Sequence, residues 1–139
     1  MAFKLGREQR NFKNSENVNM SRKNSSMNYK GSPLVFEKLE DGTLAEANMD
    51  GSISIDPSVN IDTAKGGKIL RHEKQHIDDI QSGRAAYGDE WVMWENNIYF
   101  RKTVNGMDVI DGPNGRWPEG HPNHPWEQAA IEAEKLKKQ

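Results

Sequence analysis

His72-Glu73-Lys74-Gln75-His76 is an H-E-x-x-H pentapeptide, and it opens shortly after the pair Gly66-Gly67 in a run with helical periodicity. On a helix, residues four apart lie on one face, so His72 and His76 can grip a single metal ion between them. Glu73 is the next residue round the helix, within reach of a water held by that metal, which it can deprotonate as a general base. The simpler reading is two partly buried helix histidines. That reading leaves two imidazoles and a carboxylate facing the core with no stated partner, which is costly.

Around the pentapeptide, Ile69, His72, His76 and Ile80 fall on one face and Leu70, Glu73 and Ile77 on the adjacent one. Asp62 or Thr63 can cap the start and Gly83 can end the helix. Gly66-Gly67 lowers helix propensity, so the regular part is expected from about Lys68.

Upstream, Leu34–Leu39 is strand-like, Asp41-Gly42 is a turn signal, and residues 43–48 read as a second extended segment. Asn48-Met49-Asp50-Gly51 is a further turn, and Ser52-Ile53-Ser54-Ile55 alternates as a half-buried strand does. A small antiparallel sheet or meander is expected here. Downstream, Trp91–Trp94 and Ile98–Phe100 flank a turn at Glu95-Asn96-Asn97. Residues 101–104 and 107–110 flank Asn105-Gly106, a strong type I′ hairpin signal. The aromatics there read as core rather than as a stacking platform. Residues 111–125 read as loop, and Pro125 suits the first position of a last helix running to about Lys138. The fold class is therefore α+β: a metal-binding helix, β-hairpins or a meander, and a C-terminal helix.

The chain has 139 residues, a length that suits one domain, and its hydrophobic content of 34% implies that part of it stays outside a core. It contains no cysteine, which excludes disulfides and thiolate ligands. No apolar run approaches a membrane span, and Met1 is not followed by the apolar core of a signal peptide. Residues 1–33 carry seven Lys/Arg against two Asp/Glu, a balance of +5, whereas residues 34–139 carry twelve against nineteen, a balance of −7. The division expected is an extended basic arm over 1–33 and a metal-binding domain over 34–139. The arm is rich in Asn and Ser, is expected to be disordered alone, and suits a tether that docks to neighbouring subunits. The acidic body argues against a broad nucleic-acid face and leaves only the arm for such a contact.

A catalytic zinc site takes three protein ligands and leaves a fourth position for water. With His72 and His76 as two, the third must be His, Asp or Glu. Glu127 is the first choice, placed at the start of the last helix in Pro125-Trp126-Glu127-Gln128-Ala129-Ala130. Glu95 is the second, and His121 and His124 are the third, with cleft-lining roles as their alternative. Asp79, three residues after His76, is a candidate to orient a ligand imidazole, and equally a solvated aspartate.

This layout resembles small zincin-like metallopeptidase domains of the gluzincin type, in which H-E-x-x-H on one helix is followed by a second helix carrying a glutamate ligand. Carried onto this chain, the resemblance implies one zinc ion on His72, His76 and Glu127, with Glu73 as catalytic base. The stretch from Gly42 to Gly51, with Gly83 and Tyr87, is also similar to metallopeptidase-like virion proteins of tailed bacteriophages. That similarity implies a structural component of a virion, in a tail or neck, made in the host cytoplasm; outside a virion the expectation is cytoplasmic. The implied activity is hydrolase chemistry on peptide bonds in protein or in the peptides of peptidoglycan, with Tyr87, His121 or His124 stabilising the oxyanion. The domain is small for a protease with a deep cleft and lacks a methionine-turn segment. The alternative at this point is a non-catalytic virion protein in which the metal stabilises the fold and the arm docks to neighbours.

Overall fold

The computed structural model describes the backbone of residues 2–5, together with residues 27–113 and 115–135. Most of the arm, residues 6–26, lies outside the described residues, as does the expected helical end at 136–138. The architecture is α+β: among the described residues there are two five-stranded sheets and two helices, with the pentapeptide at the centre of the longer helix.

That helix, α1, spans Ala64–Gln81. Thr63 caps it, its hydroxyl accepting from the Gly66 backbone N–H at 3.0 Å. The Ser82 N–H returns to the Asp78 carbonyl at 3.0 Å and the Gly83 N–H to that of Ile80 at 3.1 Å, and Gly83 ends the helix at φ +84°. The glycine pair therefore lies inside the helix rather than before it, correcting the expected start near Lys68. Tertiary packing supplies the reason. A Cβ on Gly66 would lie 2.3 Å from the Asn60 carbonyl oxygen and 2.6 Å from Ile61 Cα. The glycine lets the preceding loop press onto the first turn, and that contact offsets a propensity loss of about 1 kcal/mol.

The first sheet comprises β1 (Ala2–Leu5), β2 (Asn28–Tyr29), β3 (Ser32–Phe36), β4 (Thr43–Ala47) and β5 (Ile53–Ile55), in the order β1-β4-β5-β3-β2. The β2–β3 hairpin straddles the expected boundary at residue 33. The sheet is mixed, not the antiparallel meander expected: β4 pairs antiparallel with β5, but β3 runs parallel to β5 and β1 parallel to β4. The cause is visible after Phe36. The chain leaves the sheet there, earlier than the expected end at Leu39, and Leu39 N–H is held instead by the Asp56 carboxylate at 3.0 Å. The link then crosses to the far side of the place that β5 fills. As an interior strand, β5 is buried on both faces. Ile53 and Ile55 pack with Leu34, Ala47, Leu70 and Ile77, while Ser54 donates to Glu37 Oε2 at 2.7 Å and accepts from Asn48 Nδ2 at 2.9 Å. Alternation in β5 thus separates an apolar face from a hydrogen-bonded one, not core from solvent.

The second sheet is an antiparallel meander in chain order: β6 (Ala85–Tyr87), β7 (Trp91–Trp94), β8 (Asn97–Val104), β9 (Met107–Gly112) and β10 (Gly115–Pro118). The β7–β8 and β8–β9 turns have left-handed backbones, Glu95-Asn96 at φ 47° and 70° and Asn105-Gly106 at φ 53° and 79°, as type I′ hairpins require. Strand β10 falls in the stretch expected to be loop. Its glycine and proline argue against a strand, yet its position at the sheet edge tolerates a proline, and it pairs with β9 in register Trp117↔Ile110.

Helix α2 (Pro125–Glu134) joins the two halves. Trp126 is buried with Tyr87, Val92, Trp94, Tyr99 and Ile110, meeting Tyr99 edge-on at 4.9 Å. Helix α1 therefore presents Leu70 and Ile77 to the first sheet and its histidine face to α2.

Candidate metal centre

Helix α1 carries His72, Glu73 and His76, and α2 brings Glu127 to them. Pro125 occupies the first helical position of α2 with His124 before it, so Glu127 stands in the first turn, where the helix dipole favours a carboxylate. Buried Trp126 and Ala130 seat α2 so that Glu127 points at α1. All four residues of the cluster are at most 1% exposed.

One carboxylate oxygen, Glu127 Oε1, lies 2.9 Å from His72 Nε2 and 3.3 Å from His76 Nε2. One potential ligand atom from each of these three residues lies within 4.8 Å of the others. Ligands of a tetrahedral zinc at about 2.0–2.1 Å sit roughly 3.3 Å from one another, so the observed spacings suit such an ion. The polar atoms of the cluster fit it too. Both ring nitrogens of His76, both oxygens of Glu73 and Glu127 Oε2 are buried without a hydrogen-bond partner. Buried polar groups are nearly always satisfied, so this concentration in one place marks a cluster that could hold a metal ion. The donor set of two imidazoles and a carboxylate suits zinc and other divalent transition metals.

The electrostatics follow from burial and crowding. Burial opposes the charge on Glu127, but the neighbouring His76 charge, the His72 hydrogen bond and the close approach of His76 Nε2 outweigh it, holding the carboxyl down at about 2. Burial also opposes charge on His72, yet the Glu127 hydrogen bond and the Glu73 and Glu127 charges push it up to about 9. Burial dominates at Glu73 and raises it to about 7, close to the working range of a general base.

The far nitrogen of His72 is also engaged. Its Nδ1 lies 2.6 Å from Glu134 Oε2. Sequence reasoning missed Glu134, although a signal was present: Glu127 and Glu134 are seven residues apart, two helical turns, and therefore share a face. Asp79, considered for that kind of role, is buried and bonds to Gln75 at 3.0 Å and Arg84 at 3.4 Å.

The other candidates are engaged elsewhere. Glu95, the second choice for a ligand, lies exposed in the β7–β8 turn and bonds to Arg84 Nε at 3.0 Å. Tyr87 is buried in the second core and donates its hydroxyl to the Ala47 carbonyl at 3.1 Å. His124 is buried, stacked on Trp126 at 4.7 Å, and donates from Nε2 to the Pro118 carbonyl at 3.0 Å. His121 stacks on Trp117 at 5.1 Å, and its Nδ1 accepts from Asn123 N–H. The structure thus brings together His72, Glu73, His76 and Glu127, and leaves Tyr87, His121 and His124 in packing or turn contacts.

No protein-family model matches the chain, and no curated protein or solved structure matches it.

Proposed function

We propose that this protein is a zinc-binding, metallopeptidase-like domain that hydrolyses peptide bonds, in protein or in cell-wall peptides, as a component of a phage virion. The observation that carries the hydrolytic reading is Glu73. It sits between the two histidines on α1, wholly buried, and neither carboxylate oxygen has a hydrogen-bond partner. A metal that served only to staple the helices would need His72, His76 and Glu127 but not this carboxylate. A carboxylate kept there against its desolvation cost is explained by a task.

A divalent cation held by His72, His76 and Glu127 supplies Lewis acidity toward a carbonyl oxygen and makes water a nucleophile near neutral pH. Glu73 takes the proton from the attacking water and returns it to the leaving nitrogen. Its raised affinity for protons suits both halves of that exchange. Tyr87 and His124 have other partners, so oxyanion stabilisation is not assigned to them. The virion setting rests on the resemblance of residues 42–51 and on the basic balance of residues 1–33, which suits docking to acidic neighbours.

A second reading, a structural metal in a non-catalytic virion protein, is favoured by the burial of every ligand to 1% exposure or less. Catalytic metals face a cleft; structural ones are enclosed. Elemental analysis of the purified protein together with a peptidase assay separates the two readings. Zinc near one per chain, with hydrolysis that disappears in Glu73→Gln while zinc stays, supports the enzyme. Zinc without hydrolysis in the wild type supports the staple. Full hydrolysis by Glu73→Gln overturns the mechanism.

A further inference from the structure

Glu134 stands in an electrostatically awkward place. It is the last residue of α2, where the helix dipole disfavours a carboxylate, and no basic residue of the last turn of α2 compensates it. What surrounds it comes from α1. Arg71 Nε donates to the Glu134 carbonyl at 2.9 Å, Lys68 Nζ lies 3.6 Å from Oε1, and His72 Nδ1 lies 2.6 Å from Oε2. The Lys68 contact is exposed on the lysine side and worth little. The His72 contact is short and its imidazole is buried, so it is the strong one.

Because a carboxylate only accepts, Nδ1 carries a proton toward Glu134 and, in the metal-free protein, Nε2 carries one toward Glu127; a metal would displace the Nε2 proton and leave Nδ1–H on Glu134. Nε2 is the atom facing Glu127 Oε1. We propose that Glu134 is the positioning residue of the metal centre: it fixes the tautomer and the ring orientation of His72 so that Nε2 faces the ion. A carboxylate behind a ligating imidazole also strengthens it as a donor. Since α2 carries both Glu127 and Glu134, docking of this one helix delivers a ligand to the ion and an orienting partner to His72 in a single step. The inference rests on the metal-site reading above, and it concerns binding rather than turnover.

The experiment is zinc affinity, by competition with a chromophoric chelator, for wild type, Glu134→Gln, Glu134→Ala and Lys68→Ala. Helix content by circular dichroism is checked for each. Loss of the carboxylate in Glu134→Ala should weaken zinc by about 10–100-fold. Glu134→Gln keeps an acceptor and the side-chain shape, so it should fall between Ala and wild type. Lys68→Ala loosens the tether without touching His72 and should bind nearly as wild type does. Nitrogen-15 NMR of the zinc-loaded protein should show His72 with its proton on Nδ1 in the wild type and a mixture of ring states in Glu134→Ala. If Glu134→Ala does not fold, the isosteric Gln variant decides. Wild-type affinity in both Glu134 variants, or an equal loss in Lys68→Ala, overturns the positioning role while leaving the metal centre intact. A wild type that takes up no zinc overturns both.

Discussion

His72 Nε2 and Glu127 Oε1 lie 2.9 Å apart across 55 positions of sequence. The contact forms because α2 lies along α1; His76 reaches the same oxygen, and Glu73, one position round the helix from His72, is buried beside them.

Glu127→Ala should remove the metal and Glu95→Ala should not. Elemental analysis is expected to fall from about one zinc per chain to almost none in the first variant. Glu95 bonds to Arg84 in an exposed turn, so its loss should leave zinc unchanged. Zinc retained by Glu127→Ala and lost by Glu95→Ala would reverse the ligand assignment.

Glu73→Gln should separate chemistry from stability. Hydrolysis should drop by roughly 10²–10⁴-fold, the usual contribution of a general base. The metal-free protein should become more stable above pH 7. The wild-type carboxyl moves from its ordinary 4.5 up to about 7 on burial. Its folded-state preference for the proton is therefore fully present below 4.5 and lost as pH rises through 7. Replacing it should recover about 1–3 kcal/mol at pH 8, read from denaturant melts.

The paired groups predict opposite limbs in the metal-free protein. His72, raised from 6.5 to about 9, contributes fully below 6.5 and loses that contribution as pH rises through 9. Glu127, lowered from 4.5 to about 2, contributes above 4.5 and loses it as pH falls through 2. His72→Gln should flatten the alkaline limb of a stability profile. Zinc displaces the His72 proton, so its affinity should rise with pH toward 9; an affinity independent of pH from 6 to 9 would contradict this.

Asp56 offers a test far from the cluster. Its carboxylate accepts from Leu39 N–H at 3.0 Å and from Ser58 N–H and hydroxyl at 3.1 and 2.6 Å. The Leu39 N–H first, then the Ser58 groups, lower it from 3.8 to about 2. The stabilisation is present above 3.8 and disappears as pH falls through 2. Asp56→Asn should lower the melting temperature at neutral pH and shrink the acid-side loss of stability.

The two helix glycines should respond oppositely to alanine. In Gly66→Ala the new Cβ meets backbone at 2.3 Å, so the loop must shift, at roughly 1–3 kcal/mol. In Gly67→Ala the nearest atom is the flexible end of Arg71 at 3.4 Å, so helix propensity dominates and stability should rise by up to about 1 kcal/mol. Thermal melts of the two variants decide.

The sequence by itself determined the short-range features. Thr63 and Gly83 bound α1 because caps act over one turn. Asn105-Gly106 set its hairpin because few residues adopt two successive left-handed conformations. The spacing of His72, Glu73 and His76 fixed their common location because a helix has one period. Pro125 marked the start of α2, and with it the place of Glu127. Tertiary structure alone decided the long-range features. The parallel pairing of β3 with β5 depends on where a link crosses the sheet, which no local propensity encodes. Strand β10 exists because β9 offers it an edge, despite its glycine and proline. Gly66 belongs inside α1 because the loop at Asn60-Ile61 folds back onto its first turn, a packing contact that helix propensity does not record. The sequence already put Glu127 ahead of Glu95, but the contact of Glu127 with both histidines, and the partnership of Glu134 with His72, arise only when α2 docks on α1. Side-chain chemistry is local and can be read along a chain; which groups meet depends on how buried surfaces pack.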